Sequence, residues 1–200
     1  KLRTIAYRPF DTRFIYYSPN VIDRGREKVM SHFLNGENVG LITGRQNKSP
    51  TIDSFFITNS IAELKCGERT IQSYVLPLYL YPETDLQQPS SETSQRTPNL
   101  NPTVLDEIAQ GLGLIFTVEK QGDANTFAPI DLLDYIYAIL HSPKYRETYK
   151  EFLKIDFPRV PYPDKNTFWQ LVKLGGELRQ LHLLDSPLLA SLIAQFPEVG

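Results

Sequence analysis

Two hundred residues with 41% apolar content provide for one large domain or two small ones, each with a real core. A single cysteine, Cys66, excludes an internal disulfide framework, and no apolar run approaches the roughly 18 residues of a membrane span, so a soluble cytoplasmic protein is expected. The net charge of −2 conceals an asymmetry: residues 1–82 carry eleven Lys/Arg against seven Asp/Glu, residues 83–141 two against nine, and residues 142–200 eight against seven.

A global pI near 6.0 speaks against a nucleic-acid binder. Phosphate attraction depends on local charge, however, so the basic first segment keeps that class open beside the plainer reading of a solvated surface. The chain opens on Lys1 and is read as a piece of something longer.

Residues 1–82 read as mostly strand, in the short runs RTIAY, RFIYY, NVGLIT, DSFFIT and IQSYVLPLYLY, separated by turn signals such as SPN, NGEN and NKSP. DRGREKVMSHFL interrupts them with Val29, Met30, Phe33 and Leu34 at helical spacing and Asp23 as the expected cap. Residues 83–102 are polar and rich in Pro, Ser and Thr, which predicts a flexible linker or long loop.

Residues 103–200 then turn helical. PTVLDEIAQGLG predicts a short helix, IDLLDYIYAIL a second, and Ser142-Pro143 the start of a third with Tyr145, Tyr149, Phe152 and Leu153 as its buried stripe. Arg146, Lys150 and Lys154 form another face, read as solvated. FPRVPYP cannot be regular, and NTFWQLVKLGGELRQLHLL follows with Asn166 as its cap, before a last helix in SPLLASLIAQF. The fold class is therefore α+β: a β-rich lobe (1–82), a flexible polar loop (83–102) and a helical lobe (103–200), with one composite domain as the alternative.

Most catalytic patterns are missing. No glycine motif has the strand–turn–helix context of a phosphate or dinucleotide loop. His32, His141 and His182 are far apart in sequence and without cysteine partners, which predicts surface or helix-end histidines and no metal. Asp53, followed by Glu63 and Lys65, has the order of a magnesium-dependent nuclease core, in which two carboxylates hold the metal and the lysine steadies the attacking water. SIAELKCGE reads as a short helix or turn, however, and three solvated charges explain the same residues.

The basic residues of the first lobe carry more weight. GRQNKS gathers Arg45, Gln46, Asn47 and Lys48 in one loop, and Arg8, Arg13, Arg24 and Arg26 fall at strand ends or turns. Arginine takes two acceptors on guanine, and glutamine or asparagine pairs both groups on the adenine edge, so the loop is equipped to read bases. A polar inter-strand turn has the same composition, and both readings stay open at this point.

YRPFDTRFIYY, REKVMSHF, NVGLITGRQ, VLPLYLYP and DLLDYIYAILHSPKYRETYKEFLKIDFPRVPYP occur in the order of a known family. Together they resemble the C-terminal specificity region of type ISP restriction–modification enzymes and related large adenine-specific DNA methyltransferases, over residues 5–185 apart from the polar stretch 82–102. Gly25 departs from the family, which has a proline there, and leaves that turn's geometry open.

The resemblance implies a target-recognition domain whose partners are double-stranded DNA and the methyltransferase domain of the same polypeptide. It implies S-adenosylmethionine, base flipping and methylation in that other domain, whose Asn-Pro-Pro-aromatic motif this chain lacks, and no cofactor or catalytic residue here. On that basis Arg45, Gln46 and Asn47 are expected to read bases. Lys48, Arg8, Arg13, Arg24 and Arg26 are expected to meet phosphates or support the loop, with ion pairing to Asp11 the leading alternative for Arg8 and Arg13.

Overall fold

The computed structural model describes residues 1–82 and 96–191. The first half is built from β1 (Leu2–Arg8), β2 (Asp11–Tyr16), α1 (Glu27–Leu34), β3 (Gly40–Gly44), β4 (Phe56–Thr58), β5 (Ile61–Ala62), β6 (Ser73–Pro77) and β7 (Tyr79–Leu80). The second half contains β8 (Thr97–Pro98), α2 (Pro102–Leu112), β9 (Ile115–Phe116), β10 (Thr126–Phe127), α3 (Pro129–His141), α4 (Pro143–Thr148), α5 (Lys150–Leu153) and α6 (Lys165–His182), then a short 3-10 turn. The α+β class expected from sequence is the one observed. Of the expected linker, residues 96–102 are described and carry β8 and the start of α2; the remainder lies outside the described residues, as does the end of the last expected helix.

β3 is the centre of the site-bearing sheet. It pairs antiparallel with β4 on one side and β6 on the other, and every one of its residues is buried. GLITG, without a charge, suits a strand covered on both faces. A second sheet has the order β2-β1-β5, with β5 parallel to β1. SIAELKCGE therefore begins as a strand, not a helix, because Ile61 and Ala62 are buried beside Ile5 and Ala6.

The helices follow their caps. Asn101 accepts from the amides of Thr103 and Val104 at 2.9 and 3.3 Å, Pro102 fills the first turn of α2, and Gly113 ends it at φ 63. α6 is capped two residues earlier than expected, because Asp164 and not Asn166 accepts from the exposed amides of the first turn. α1 starts later than expected: Asp23 lies outside it, and Arg26, at φ 52, occupies the capping position. Beside the unusual Gly25, the Tyr17 hydroxyl donates to the Gly25 carbonyl at 2.5 Å, fixing that turn with a side chain in place of a proline ring.

The main core crosses the boundary between the lobes. Leu41, Ile52, Phe55, Ile57, Leu78 and Tyr79 from the first half pack with Leu133, Tyr137, Leu140, Tyr145 and Leu153 from the second. Each such side chain contributes about 1.5–3 kcal/mol on burial. Smaller clusters lie under α1 and between α2, α3 and α6. α3 and α6 approach closely at Gly175, where an added Cβ would sit 1.8 Å from the Asp134 carbonyl oxygen. Arg179 closes the contact with two hydrogen bonds to the Asp134 carboxylate, at 2.6 and 3.1 Å.

The expected buried stripe of the third helix is corrected at Tyr149, and Phe152 is only half-buried. Tyr145 and Leu153 are buried, while Tyr149 is 46% exposed, because the helix breaks there into α4 and α5 and the second segment turns Tyr149 outward.

Candidate nucleic-acid interface

The GRQNKS loop leaves the end of β3 on a fixed base. The Asn47 amide donates to the Leu153 carbonyl of α5 at 2.9 Å, and the Asn47 Oδ1 accepts from the Ser49 amide at 3.1 Å. Further along, Ile52 adopts φ 51, a conformation that costs a branched residue about 1–2 kcal/mol. Its side chain is 1% exposed in the main core, and that burial offsets the cost. Ser49 and Thr51 donate to the Asp53 carboxylate at 2.8 and 2.5 Å, closing the loop's far side.

On this base the side chains divide. Arg45, Gln46 and Lys48 are exposed. Asn47, expected as a reader, lies inside the loop at 2% exposure, with its Nδ2 unpartnered among the described residues. Arg45 Nε lies 3.3 Å from Asp156 Oδ1, a residue in the irregular segment after α5. Next to it Phe157 meets Tyr74 of β6 edge to face, with ring centroids 5.0 Å apart. Tyr74 is opposite Thr43 in the register, one residue from the loop. The Tyr145 hydroxyl donates to the Arg159 carbonyl at 2.8 Å and ties the same segment to α4. Asp156, Phe157 and Tyr74 were not among the expected site residues. Their pairing with the loop bridges 111 positions of sequence for Arg45 and Asp156, which no local pattern announces.

The other arginines sit elsewhere. Arg13 stacks over the Tyr7 ring at 3.8 Å and binds Asp11 through Nε and Nη2, with Nη2 at 2.8 Å, the internal pairing considered from sequence. Arg8 pairs with Glu63 at 2.6 Å and not with Asp11. Arg26 is half-buried and spends its guanidinium on the carbonyls of Ser73 and Ala62, at 3.0 and 3.1 Å. Arg24 is exposed, 3.7 Å from Asp23. Arg45, Gln46 and Lys48 thus share one surface, and Arg8, Arg13, Arg24 and Arg26 lie around the β1–β2 sheet and its following turn.

The residues of the nuclease alternative are engaged separately: Asp53 by the loop hydroxyls, Glu63 by Arg8, while Lys65 is exposed. No group of three or more His, Cys, Asp or Glu able to hold a metal occurs among the described residues.

His141 and His182 end α3 and α6, as helix-end histidines were expected to, but they lie together. Their rings meet edge to face with centroids 5.3 Å apart, because α3 and α6 end side by side. Tyr137 contacts His182 Nδ1 at 2.5 Å, and Arg146 reaches His141 Nδ1 at 2.8 Å and the Leu140 carbonyl at 2.7 Å. Arg146, expected on a solvated face, is therefore structural. Burial first, and then the Arg146 charge, lower His141 to about 4. A neutral His141 can donate from Nε2 to the Phe55 carbonyl, 3.2 Å away, and so links the two halves.

A cavity of about 570 Å³ opens between Tyr79, Ile130 and Leu183, and its cations Arg96, Lys120 and Arg179 are each paired to a carboxylate. No helix among the described residues is long and apolar enough to cross a membrane.

A family model described as the type ISP C-terminal specificity domain matches residues 1–200. Among solved structures the chain is similar to the ATP-dependent type ISP restriction–modification enzyme LlaBIII bound to DNA, with TM-score 0.66 and 23% identity, over 92% of this chain and 11% of that one. It is similar to DrdV in a DNA complex solved by cryo-electron microscopy, with TM-score 0.65 and 26% identity, over 91% of this chain and 16% of that one. A nuclease-deletion mutant of the type ISP enzyme LlaGI, in complex with a DNA substrate mimic, gives TM-score 0.59 and 24% identity over 91% and 14% of the two chains. The chain thus spans a small fraction of each neighbour's length. No curated protein matches it.

Proposed function

We propose, from the premise that this chain belongs to the family of type ISP C-terminal specificity domains, that it reads the target sequence of double-stranded DNA for a longer restriction–modification polypeptide. In that polypeptide a separate domain binds S-adenosylmethionine and methylates an extruded adenine, and nuclease and translocase domains complete the enzyme. The observation that carries this reading is the anchored loop after β3. Its backbone is pinned to α5 while Arg45, Gln46 and Lys48 remain exposed.

A rigid base with a guanidinium and a carboxamide at its edge has the donors and acceptors that base edges require, and Lys48 supplies a phosphate contact. Asn47 holds the loop's shape. Arg8, Arg13 and Arg26, already bonded within the protein, support the fold, and Arg24 is exposed and available to a phosphate. The division of labour is physical: extruding a base costs a few kcal/mol, so flanking contacts must hold the duplex in register meanwhile.

Replacing Arg45 and Gln46 together with alanine in the intact enzyme tests the reading. Site preference is expected to collapse while cofactor binding is unchanged, and unchanged preference refutes the assignment. Replacing Lys48 with alanine is expected to weaken all sequences alike and reduce the salt slope by about 0.9.

A second surface suits protein, not DNA. Leu2 faces Tyr16 and Thr4 faces Phe14 across β1 and β2, and Leu2, Phe14 and Tyr16 are 66%, 76% and 58% exposed. Such a sheet face fits the methyltransferase domain of the same polypeptide, given that the solved neighbours are several times longer than this chain. Phe14→Glu is expected to slow methylation without altering which site is chosen; an altered site would assign this face to the duplex instead.

A further inference from the structure

Arg45 is the one arginine of the reading loop, and its surroundings specify more than its charge. A guanidinium has two ways to engage a pair of acceptors: through Nε and one Nη, or through both Nη groups at its tip. Here Nε faces Asp156 Oδ1 at 3.3 Å, and neither Nη has a hydrogen-bond partner among the described residues. The side edge of the fork is taken and the tip is open.

Asp156 is itself held in place. It follows α5, where its amide donates to the Phe152 carbonyl at 3.1 Å, and the next residue, Phe157, is locked against Tyr74. The loop and this segment are also tied through the Asn47 amide and the Leu153 carbonyl, three residues before Asp156. A carboxylate fixed to the helical half therefore sets the direction of an arginine on the β-rich half.

We infer that Asp156 is a specificity-determining positioning residue: it orients Arg45 so that both Nη groups point outward as a pair, the arrangement that takes N7 and O6 of a guanine in the major groove. The inference rests on the proposed role of the loop and adds the identity of one base pair, G·C, at the position Arg45 addresses. An exposed arginine on its own samples many rotamers and meets phosphates as readily as bases. The contact at Nε biases that freedom before DNA arrives and leaves the two-donor tip foremost, which guanine matches and adenine, with one acceptor and one donor on the same edge, does not. Asp156 itself also repels the phosphate backbone, which favours a base edge over a phosphate as the partner of this arginine.

The test measures base preference position by position with the intact enzyme and a pool of randomised duplexes, for Arg45→Ala, Asp156→Ala, Asp156→Asn and the double variant Arg45→Ala/Asp156→Ala. Arg45→Ala is expected to lose roughly 5- to 150-fold discrimination for guanine at one position, the range that one bidentate contact supplies. Asp156→Ala is expected to weaken preference at that same position and no other, and to steepen the salt slope of binding by up to about 0.9, because the released Arg45 can then meet a phosphate. Asp156→Asn retains an acceptor for Nε and is expected to fall between Asp156→Ala and the parent. The double variant is expected to match Arg45→Ala alone, since Asp156 acts through Arg45.

A preference change at a different base pair in Asp156→Ala overturns the inference, because Asp156 would then be accepting from a base, such as cytosine N4, on its own account. Loss of preference in Arg45→Ala with none in either Asp156 variant also overturns it while leaving the loop as the reader. No change in Arg45→Ala removes Arg45 from the readers, and the inference with it.

Discussion

Two arginine–aspartate pairs in this chain share their chemistry and differ in almost everything else. Arg179 and Asp134 join α6 to α3 at 2.6 Å with side chains only 17% and 5% exposed. Arg45 and Asp156 join the loop after β3 to the segment after α5 at 3.3 Å with side chains 62% and 40% exposed. In the first pair the guanidinium meets the carboxylate through Nε and Nη2 both; in the second only Nε is used. Burial decides the difference in role. A charge removed from water has to spend its donors on the nearest partner, whereas a charge left at the surface gains little from its pair and keeps donors in reserve. The same residue types thus serve as a bolt in one place and as an aimed contact in the other.

Breaking the buried side of the comparison gives the largest expected effects. Arg179→Ala leaves the Asp134 carboxyl, whose pKa burial already raises, without its partner, and is expected to cost about 3 kcal/mol in chemical unfolding. Gly175→Ala drives a methyl group into the Asp134 backbone and is expected to cost as much, since α3 and α6 must separate to admit it. A loss below about 0.5 kcal/mol in both variants would show that this seam does not carry the helical half.

A smaller effect follows from pH. His141 takes up a proton near 6.5 when the chain is unfolded but only near about 4 when folded, and burial lowers His182 in the same direction. Between those values the unfolded chain holds more protons, so stability is intact above 6.5 and is lost as the pH falls through the window. Between pH 7 and 5, above the carboxylate range, the expected loss is about 1–2 kcal/mol after allowance for partial exposure of the rings. His141→Gln is expected to flatten that slope in thermal melts at several pH values; an unaltered slope would place the titration elsewhere.

The sequence was informative wherever structure is local. Strand runs and proline-started helices follow from spacing and residue type, and the order of five blocks was enough to point to the family. Misreadings fall where a distant partner decides. Asn47 has the composition of a base reader, but the Leu153 carbonyl and the Ser49 amide, not its residue type, draw it inward. His141 and His182 are 41 positions apart and meet because two helices end together. Ile61 and Ala62 read as helix or turn until β1 offers them a ladder. Asp156 beside Arg45 belongs to the same class, and so does the close approach of α3 at Gly175, whose partner Asp134 is 41 positions away.

Asn47 lies between the two poles of the comparison. Asn47→Ala removes the acceptor of the Ser49 amide but also a buried Nδ2 that has no partner, so the terms partly cancel and the expected cost is about 1 kcal/mol. Its effect on recognition is expected to be a blurring of preference, because the loop keeps its backbone bond to Leu153 but loses its internal brace. Intact preference with lost stability would confine Asn47 to architecture.

The smallest expected stability change belongs to the exposed pair, and there it is most diagnostic. Arg45→Ala and Gln46→Ala remove side chains that lie in water, and their expected effect on unfolding is within about 0.5 kcal/mol. Asp156 regains hydration when Arg45 is gone, at little cost for so exposed a carboxylate, and nothing in the core moves. If the loop reads bases, the same two variants nonetheless abolish discrimination at the positions they address. Recognition and stability are then separated in opposite senses by the two arginines. Arg45 matters to the choice of DNA and not to the fold, while the conservative Arg179→Lys, which keeps the charge but gives up the forked contact with Asp134, lowers stability and leaves base preference as it was. Measured together, the four quantities from these two arginines test the comparison directly. A stability loss in Arg45→Ala as large as that in Arg179→Lys would mean that the exposed pair is a bolt as well, and that the reader lies elsewhere on the surface.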